Sequence, residues 1–318
     1  MNLFKKIIPV IALFLAACGT ANNNEEINAD RLNIVTTFYP MYHFTEMIVG
    51  ENGNVTTLLK AGQDTHSYEP TPKDMAAIAE ADVFVYSSEY METWVPAVLE
   101  TLSDSDVEII DASAGIAFYE EEGQADEGEE HHDDEEHHED DGHNHAVDPH
   151  VWLDPVYAKQ MVETISSAIQ AVDPENNAVY QENTAVYVKE LETLDEEFQA
   201  AFQNAENRIF VVQHAAFGYL ARRYELNEVS ISALTSNQEV SPAKLAEIGN
   251  FINENQVQII YYQDSGNNDL ATTLAKETGI ELSVLSAIEG ITKSDQEAGI
   301  DYLTIMRKNL EALKRTIN

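Results

Sequence analysis

Cysteine occurs once in the 318 residues, at Cys18. A disulfide framework and a zinc site of paired thiolates both need at least two thiols, so both are excluded. Positive charge is almost as scarce: 17 Lys and Arg stand against 57 Asp and Glu, a formal net charge of -40 at pH 7. A polyphosphate would be repelled at long range, which excludes nucleic acid as a partner, whereas cations are attracted. No apolar run is long enough to cross a bilayer; the eleven residues of 7–17 fall well short of the roughly 20 a spanning helix needs. There is no HExxH string, no Ser/His/Asp arrangement and no glycine-rich phosphate loop. The nearest string to a zincin motif, His138-Glu139-Asp140-Asp141-Gly142-His143, has one residue too many between its histidines. A secreted zinc hydrolase, the enzyme alternative, therefore lacks its usual parts. What remains is ordinary for a globular protein: 44% hydrophobic residues and a length that suits two domains.

The first residues show Lys5 and Lys6, an apolar stretch from Ile7 to Leu15 and small residues before Cys18, the layout of a secretory signal. Leu15-Ala16-Ala17-Cys18 resembles the bacterial lipobox, whose cysteine receives diacylglycerol and becomes the first residue of the mature chain. The expectation is a signal peptide over 1–17, a lipidated tether over 18–31 and a folded body from Leu32.

From Leu32 the chain alternates β-branched apolar runs with segments of helical period, which predicts parallel βα units and an α/β fold. The strands are expected at LNIVTTFYP, NVTTLL, DVFVYS and VEIIDA, and later at RIFVVQ, EVSISA, VQIIYYQ and IELSVLS. Thr71-Pro72, Asp154-Pro155, Asp173-Pro174 and Ser241-Pro242 pair a capping residue with a proline suited to the first helical position. From Asp173 to about Ala205 no glycine occurs and no proline follows Pro174, while Val179, Val186, Leu191, Leu194 and Phe198 recur at helical steps. One long helix, on the order of 45 Å, is expected there as a rigid strut between two halves. A final amphipathic helix is expected from Ile300 to Thr316. The organisation predicted is an N-terminal lobe over 32–172, a linking helix over 173–206 and a C-terminal lobe over 207–318.

Seven of the ten histidines fall between Glu129 and Pro155, in two settings. Six of them, His131, His132, His137, His138, His143 and His145, lie in 120–145, a stretch with 14 acids and no Lys or Arg. That composition cannot build a packed core and reads as a disordered charged loop, though its alternation of His with Asp and Glu supplies many weak metal ligands. Four histidines remain, and His150, set against Val151, Trp152 and Leu153, looks built in. His66 follows a strand and precedes a capped helix, His150 sits in DPHVWLDP where Trp152 can shield the ring, and His214 joins a strand end to a helix start. Ligand sites of α/β sheets collect at such strand ends. His43 falls inside the first helix pattern and reads as structural or surface. Three imidazoles plus one carboxylate make a tetrahedral set for a borderline ion such as zinc, with Asp264 and Glu289 as candidates for the carboxylate. These donors come from separated loops in both halves, which places the ion in the cleft between domains.

The stretches TTFYPMY, DTHSYEPTP, DPHVWLDP, QHAAFGYLA and EVSPAKLAEI together resemble the zinc-binding subunits of bacterial ABC transporters, the metal-specific class of solute-binding lipoproteins. The resemblance covers nearly everything after the signal peptide. It implies two α/β lobes, each with a mainly parallel sheet, joined by a rigid helix, with metal held by His66, His150, His214 and an acid near the end. The family's closing acid maps onto Glu289 in LSAIEG, with Asp264 in reserve. Manganese members carry a carboxylate where His214 stands, so the resemblance favours Zn2+ here. It also implies a lipid-anchored receptor on the extracytoplasmic face of a Gram-positive cell membrane, monomeric, which hands zinc to a membrane permease and catalyses nothing. The alternatives are a manganese-binding member of the family, a surface adhesin or a metal buffer.

Overall fold

The structure is a computed structural model that describes residues 31–60, 63–119, 147–232, 240–263 and 268–318. Cys18, the six histidines of 120–145 and the reserve ligand Asp264 lie outside the described residues.

Eight strands are present among the described residues, one in each apolar run expected to form one. The first four are β1 (Leu32–Thr36), β2 (Gly53–Thr57), β3 (Val83–Tyr86) and β4 (Glu108–Asp111). They form a wholly parallel sheet in the order β2-β1-β3-β4. The second four, β5 (Ile209–His214), β6 (Asn227–Ser232), β7 (Ile259–Tyr262) and β8 (Glu281–Val284), repeat that topology as β6-β5-β7-β8. Two α/β lobes of the same design result, although self-similarity in the sequence is too weak to reveal a repeat. β3 is buried at every position, as a strand covered by helices on both faces must be.

The N-terminal lobe carries α1 (Tyr39–Val49), α2 (Pro72–Ala79), α3 (Val95–Thr101) and α4 (Pro155–Val172), and the long α5 (Asn177–Phe202) follows. In the C-terminal lobe lie α6 (Gly218–Arg223), α7 (Pro242–Glu254), α8 (Asp269–Thr278), α9 (Lys293–Glu297) and α10 (Tyr302–Leu313). Caps and prolines start these helices as the sequence pattern expects at α2, α4 and α7. Thr71 and Asp74 form a reciprocal capping box, Asp154 accepts from the Val156 N–H, and Ser241 accepts from the Lys244 N–H. The fourth signal behaves differently: Pro174 opens a single 3-10 turn, Pro174–Asn176, and the α-helix begins only at Asn177.

At 26 residues α5 is about 39 Å long. Its buried face also corrects the sequence reading, because Val179 and Val186 are 42% and 58% exposed. The stripe that packs is Tyr180, Tyr187, Leu191, Leu194, Phe198 and Phe202. Two tyrosines seven residues apart set the inward face, since each brings more apolar area than the valine before it. α5 packs with α1 and α4 on one side and α10 on the other, so one hydrophobic core runs from the first sheet through these helices into the second lobe. A smaller core lies under α7 and α8.

Buried polar groups fix the strand ends near the cleft. Glu92 accepts from the Ser87 and Ser88 N–H groups and from the Thr37 hydroxyl, tying the end of β1 to the end of β3. Burial pushes its carboxyl up to about 7, against the pull of those three donors.

Candidate metal centre

Four side chains converge where the carboxyl ends of the two sheets face each other. His66 comes from the loop after β2 and His150 from the segment after β4; His214 is the last residue of β5, and Glu289 lies in the loop after β8. Their ligand atoms all lie within 4.8 Å of one another. His150 Nε2 and His214 Nε2 are 3.3 Å apart, and Glu289 Oε1 lies 3.6 Å from His66 Nε2 and 3.8 Å from each of the other two Nε2 atoms. A tetrahedron with metal bonds of about 2.0–2.2 Å has edges of about 3.3–3.6 Å, so this spacing fits one small four-coordinate ion. Two further observations fit a ligand role: His66 Nε2 and Glu289 Oε1 are both buried and both lack a hydrogen-bond partner. Orphaned buried polar atoms are rare and call for an explanation, which a shared cation would supply.

The electrostatics agree. Burial alone would push the Glu289 carboxyl up, but the imidazoles of His66, His150 and His214 outweigh it and hold it down at about 2. Burial alone would lower the His66 imidazole, and the neighbouring Glu289 carboxylate outweighs that and raises it. The cluster already compensates one negative charge with protons that a divalent cation would replace.

Each donor is aimed by its surroundings. The Asp148 carboxylate accepts from the His150 main-chain N–H at 2.9 Å and lies 2.8 Å from His150 Nδ1. A carboxylate can only accept, so Nδ1 carries the proton and Nε2 presents its lone pair to the cluster. Trp152 packs on the His150 ring at 5.2 Å and is wholly buried, which excludes water from that side. Beyond His214, the Glu228 carboxylate on β6 accepts from the Ala216 and Phe217 N–H groups and fixes the turn. Gly218 then passes so close to Asp148 that a Cβ there would stand 2.7 Å from its Oδ2, which is why glycine occupies the position.

Glu289 is delivered by a strained backbone. Ile288, just before it, has φ +56°, a conformation that costs a β-branched residue about 1–3 kcal/mol. The strain is held by three hydrogen bonds. Asn309 of α10 accepts from the Ser286 N–H at 2.9 Å and donates to the Ser286 carbonyl at 2.7 Å, while the Trp152 indole donates to the Ala287 carbonyl at 2.8 Å. The free oxygen, Oε2, accepts from the Thr65 hydroxyl at 3.5 Å.

All four residues put forward from the sequence meet in one cluster. His43 does not: it is buried on α1 between Tyr39 and Tyr187, and burial lowers its imidazole to about 4. Asp148, Gly218, Thr65, Ile288 and Asn309 were not singled out by sequence reasoning. Only Asp148 had a visible signal, the acceptor two residues before a histidine in Asp-Pro-His.

The family model for the periplasmic component A of the zinc-uptake complex matches residues 34–316. The chain is 41% identical over 322 residues to the high-affinity zinc uptake system protein ZnuA of Bacillus subtilis, covering 99% of both. It is 42% identical over 309 residues to the zinc-binding lipoprotein AdcA of Streptococcus pneumoniae, covering 96% of this chain but only 59% of that longer protein. Among solved structures, the Zn(II)-bound ZnuA-like domain of the same pneumococcal AdcA superposes with a TM-score of 0.75 at 40% identity, covering 90% of this chain and 98% of that one. The chain belongs to the zinc-uptake component A family of metal-binding transport receptors.

Proposed function

We propose that this protein is the extracytoplasmic receptor of a zinc uptake system: it captures Zn2+ with His66, His150, His214 and Glu289, passes it to an ABC permease, and catalyses no reaction. The observation that carries the reading is the convergence of three imidazoles and one carboxylate whose ligand atoms all lie within 4.8 Å of one another. Three nitrogen donors suit zinc better than manganese, which prefers oxygen. The names of the Bacillus and Streptococcus relatives support zinc as the cargo.

The chain acts as a monomer held to the membrane by acyl groups on Cys18, with 1–17 removed as a signal, an N-terminal lobe over 32–172, a link over 173–206 and a C-terminal lobe over 207–318. Two or more acyl chains are required, since one gives only marginal attachment. The six histidines of 120–145 gather additional zinc loosely beside the tight site.

Zinc titration against a competing chelator tests the reading. The wild-type protein binds one ion tightly, and His214→Ala and Glu289→Ala each weaken it about tenfold or more, because each removes a donor. Identical curves for wild type and His214→Ala would overturn it.

A further inference from the structure

The two oxygens of Glu289 have different surroundings. Oε1 is the oxygen nearest all three histidine nitrogens, at 3.6–3.8 Å, whereas Oε2 accepts from the hydroxyl of Thr65 at 3.5 Å. That is the only hydrogen bond to the Glu289 side chain among the described residues, and Thr65 is itself buried, at 2% exposure. The backbone leading to Glu289 is held in place, so the rotation of the carboxylate rests on the contacts of its own oxygens. Ser286 is gripped at both its N–H and its carbonyl by Asn309, Ala287 is gripped by Trp152, and Ile288 is fixed at a positive φ.

We propose that Thr65 fixes Glu289 as a one-oxygen ligand and thereby makes the site select four-coordinate ions over ions that seek six or more oxygens. This deepens the zinc reading and rests on it. A carboxylate that gives both oxygens to an ion raises its coordination number, which suits manganese or calcium; one that gives a single oxygen beside three imidazoles completes a tetrahedron. Turning Oε2 toward the cluster would strip the buried Thr65 hydroxyl of its acceptor, so the wider coordination is penalised while the narrower one is not. Thr65 neighbours His66, whose N–H is held by Asp64 Oδ1 at 2.9 Å, so one short N-terminal-lobe segment supplies both a donor and the group that restrains the opposite lobe's donor. Thr65 touches no ion in this scheme; it is a positioning residue.

Cobalt(II) reports coordination number directly, with intense visible absorption in a four-coordinate site and weak absorption in a five- or six-coordinate one. Purified wild type, Thr65→Val and Thr65→Ser are loaded with Co2+ for spectra and titrated with Zn2+ and Mn2+ against a competing chelator. Wild type and Thr65→Ser show the intense spectrum. Thr65→Val loses intensity, and its Mn2+ affinity relative to Zn2+ rises about tenfold, the factor to which 1.4 kcal/mol corresponds. If Thr65→Val does not fold, Thr65→Ala removes the same hydroxyl and is expected to behave the same way. Superimposable spectra and an unchanged Zn2+/Mn2+ ratio would overturn the proposal, as would Thr65→Ser changing as much as Thr65→Val, which would assign the effect to packing. His214→Ala, run alongside, separates the two readings: its silence refutes the zinc site itself, whereas its weakening beside a silent Thr65→Val refutes only the role of Thr65.

Discussion

Removing the Asp148 carboxylate is expected to weaken zinc binding without touching a ligand. Its Oδ1 receives both the main-chain N–H and the ring Nδ1–H of His150, at 2.9 and 2.8 Å, and the ring is wholly buried. In Asp148→Ala the imidazole loses the group that fixes its tautomer and its rotation, and a buried N–H is left unpaired. Losses of such outer partners cost about 10–100-fold in metal affinity, or about 1.4–2.7 kcal/mol. Asp148→Asn keeps an acceptor oxygen but loses the charge that makes the imidazole a stronger donor, so a loss of about 3–10-fold is expected. Gly218→Ala reaches the same carboxylate from the other lobe, because its Cβ would stand 2.7 Å from Oδ2 and push the side chain off His150. The assay is a chelator competition at constant pH and ionic strength, with thermal unfolding of each metal-free variant as the control. The Tyr219 hydroxyl binds the Asp148 carbonyl, a main-chain contact that all three variants can keep, so the fold is expected to survive. A folded Asp148→Ala protein with wild-type affinity, within about twofold, would refute the reasoning.

Zinc affinity is expected to fall with pH once the medium drops below the raised pKa of His66, by about tenfold per pH unit for each proton displaced. Glu289, held at about 2, stays ionised throughout and adds no slope, so titrations between pH 8 and 5.5 that give one flat affinity would contradict the assignment. Arg223→Ala leaves the buried Asp154 carboxylate without its partner at 2.8 Å and should cost about 2–3 kcal/mol, less than for a fully buried pair because the arginine is 31% exposed; the denaturation midpoint reads this. Deleting 120–144 should lower zinc stoichiometry above one and leave the tight phase intact, as calorimetry would reveal; loss of the tight phase would mean that the loop supplies a ligand. In the zinc-free protein, amide hydrogen exchange should be faster over 63–69 than over 148–154, and equal protection would argue against unequal anchoring of the two segments.

The strands were legible because each is a short β-branched run between turn signals, and buried parallel strands need no finer pattern. Helix starts were legible at three of the four places where a cap and a proline coincided, and failed at Asp173-Pro174 because nothing in that dipeptide distinguishes a 3-10 turn from an α-helix. The inward face of α5 was read correctly at Leu191, Leu194 and Phe198 and missed by one residue at Val179 and Val186, where the neighbouring tyrosines Tyr180 and Tyr187 face in instead. Three histidines could be placed by their position at strand ends. Glu289 and Asp264 could not be separated on position alone, since both follow strands in the second lobe; the family motif chose Glu289, which lies in the cluster, while Asp264 lies outside the described residues. The supporting groups were invisible for a different reason. Thr65 meets Glu289 across 224 residues of chain, and Asn309 is a polar residue in the middle of an amphipathic helix. Their roles exist only once the lobes are docked.

The lobes contribute two donors each, yet the four donors are not equally fixed. The segment bearing His150 belongs to the first lobe by sequence but is bound to the second by four groups. Tyr219 donates to the Asp148 carbonyl, Trp152 to the Ala287 carbonyl, Tyr302 to the Trp152 carbonyl, and Arg223 to the Asp154 carboxylate. At about 1 kcal/mol for each neutral bond and more for the charged one, lifting this segment away would cost several kcal/mol. His150, His214 and Glu289 are therefore held to one another by protein contacts whether or not an ion is present. His66 reaches them differently: its segment meets the second lobe through the long Thr65 contact to Glu289, the 3.6 Å approach of its Nε2 to Glu289 and the packing of its ring on His214, and its Nε2 has no hydrogen bond. Fewer protein contacts therefore oppose displacement of the His66 segment than of the His150 segment, the difference that hydrogen exchange over 63–69 and 148–154 reads. The shared core running through α1, α4, α5 and α10 opposes rotation of the two lobes, because a hinge at α5 would have to expose it.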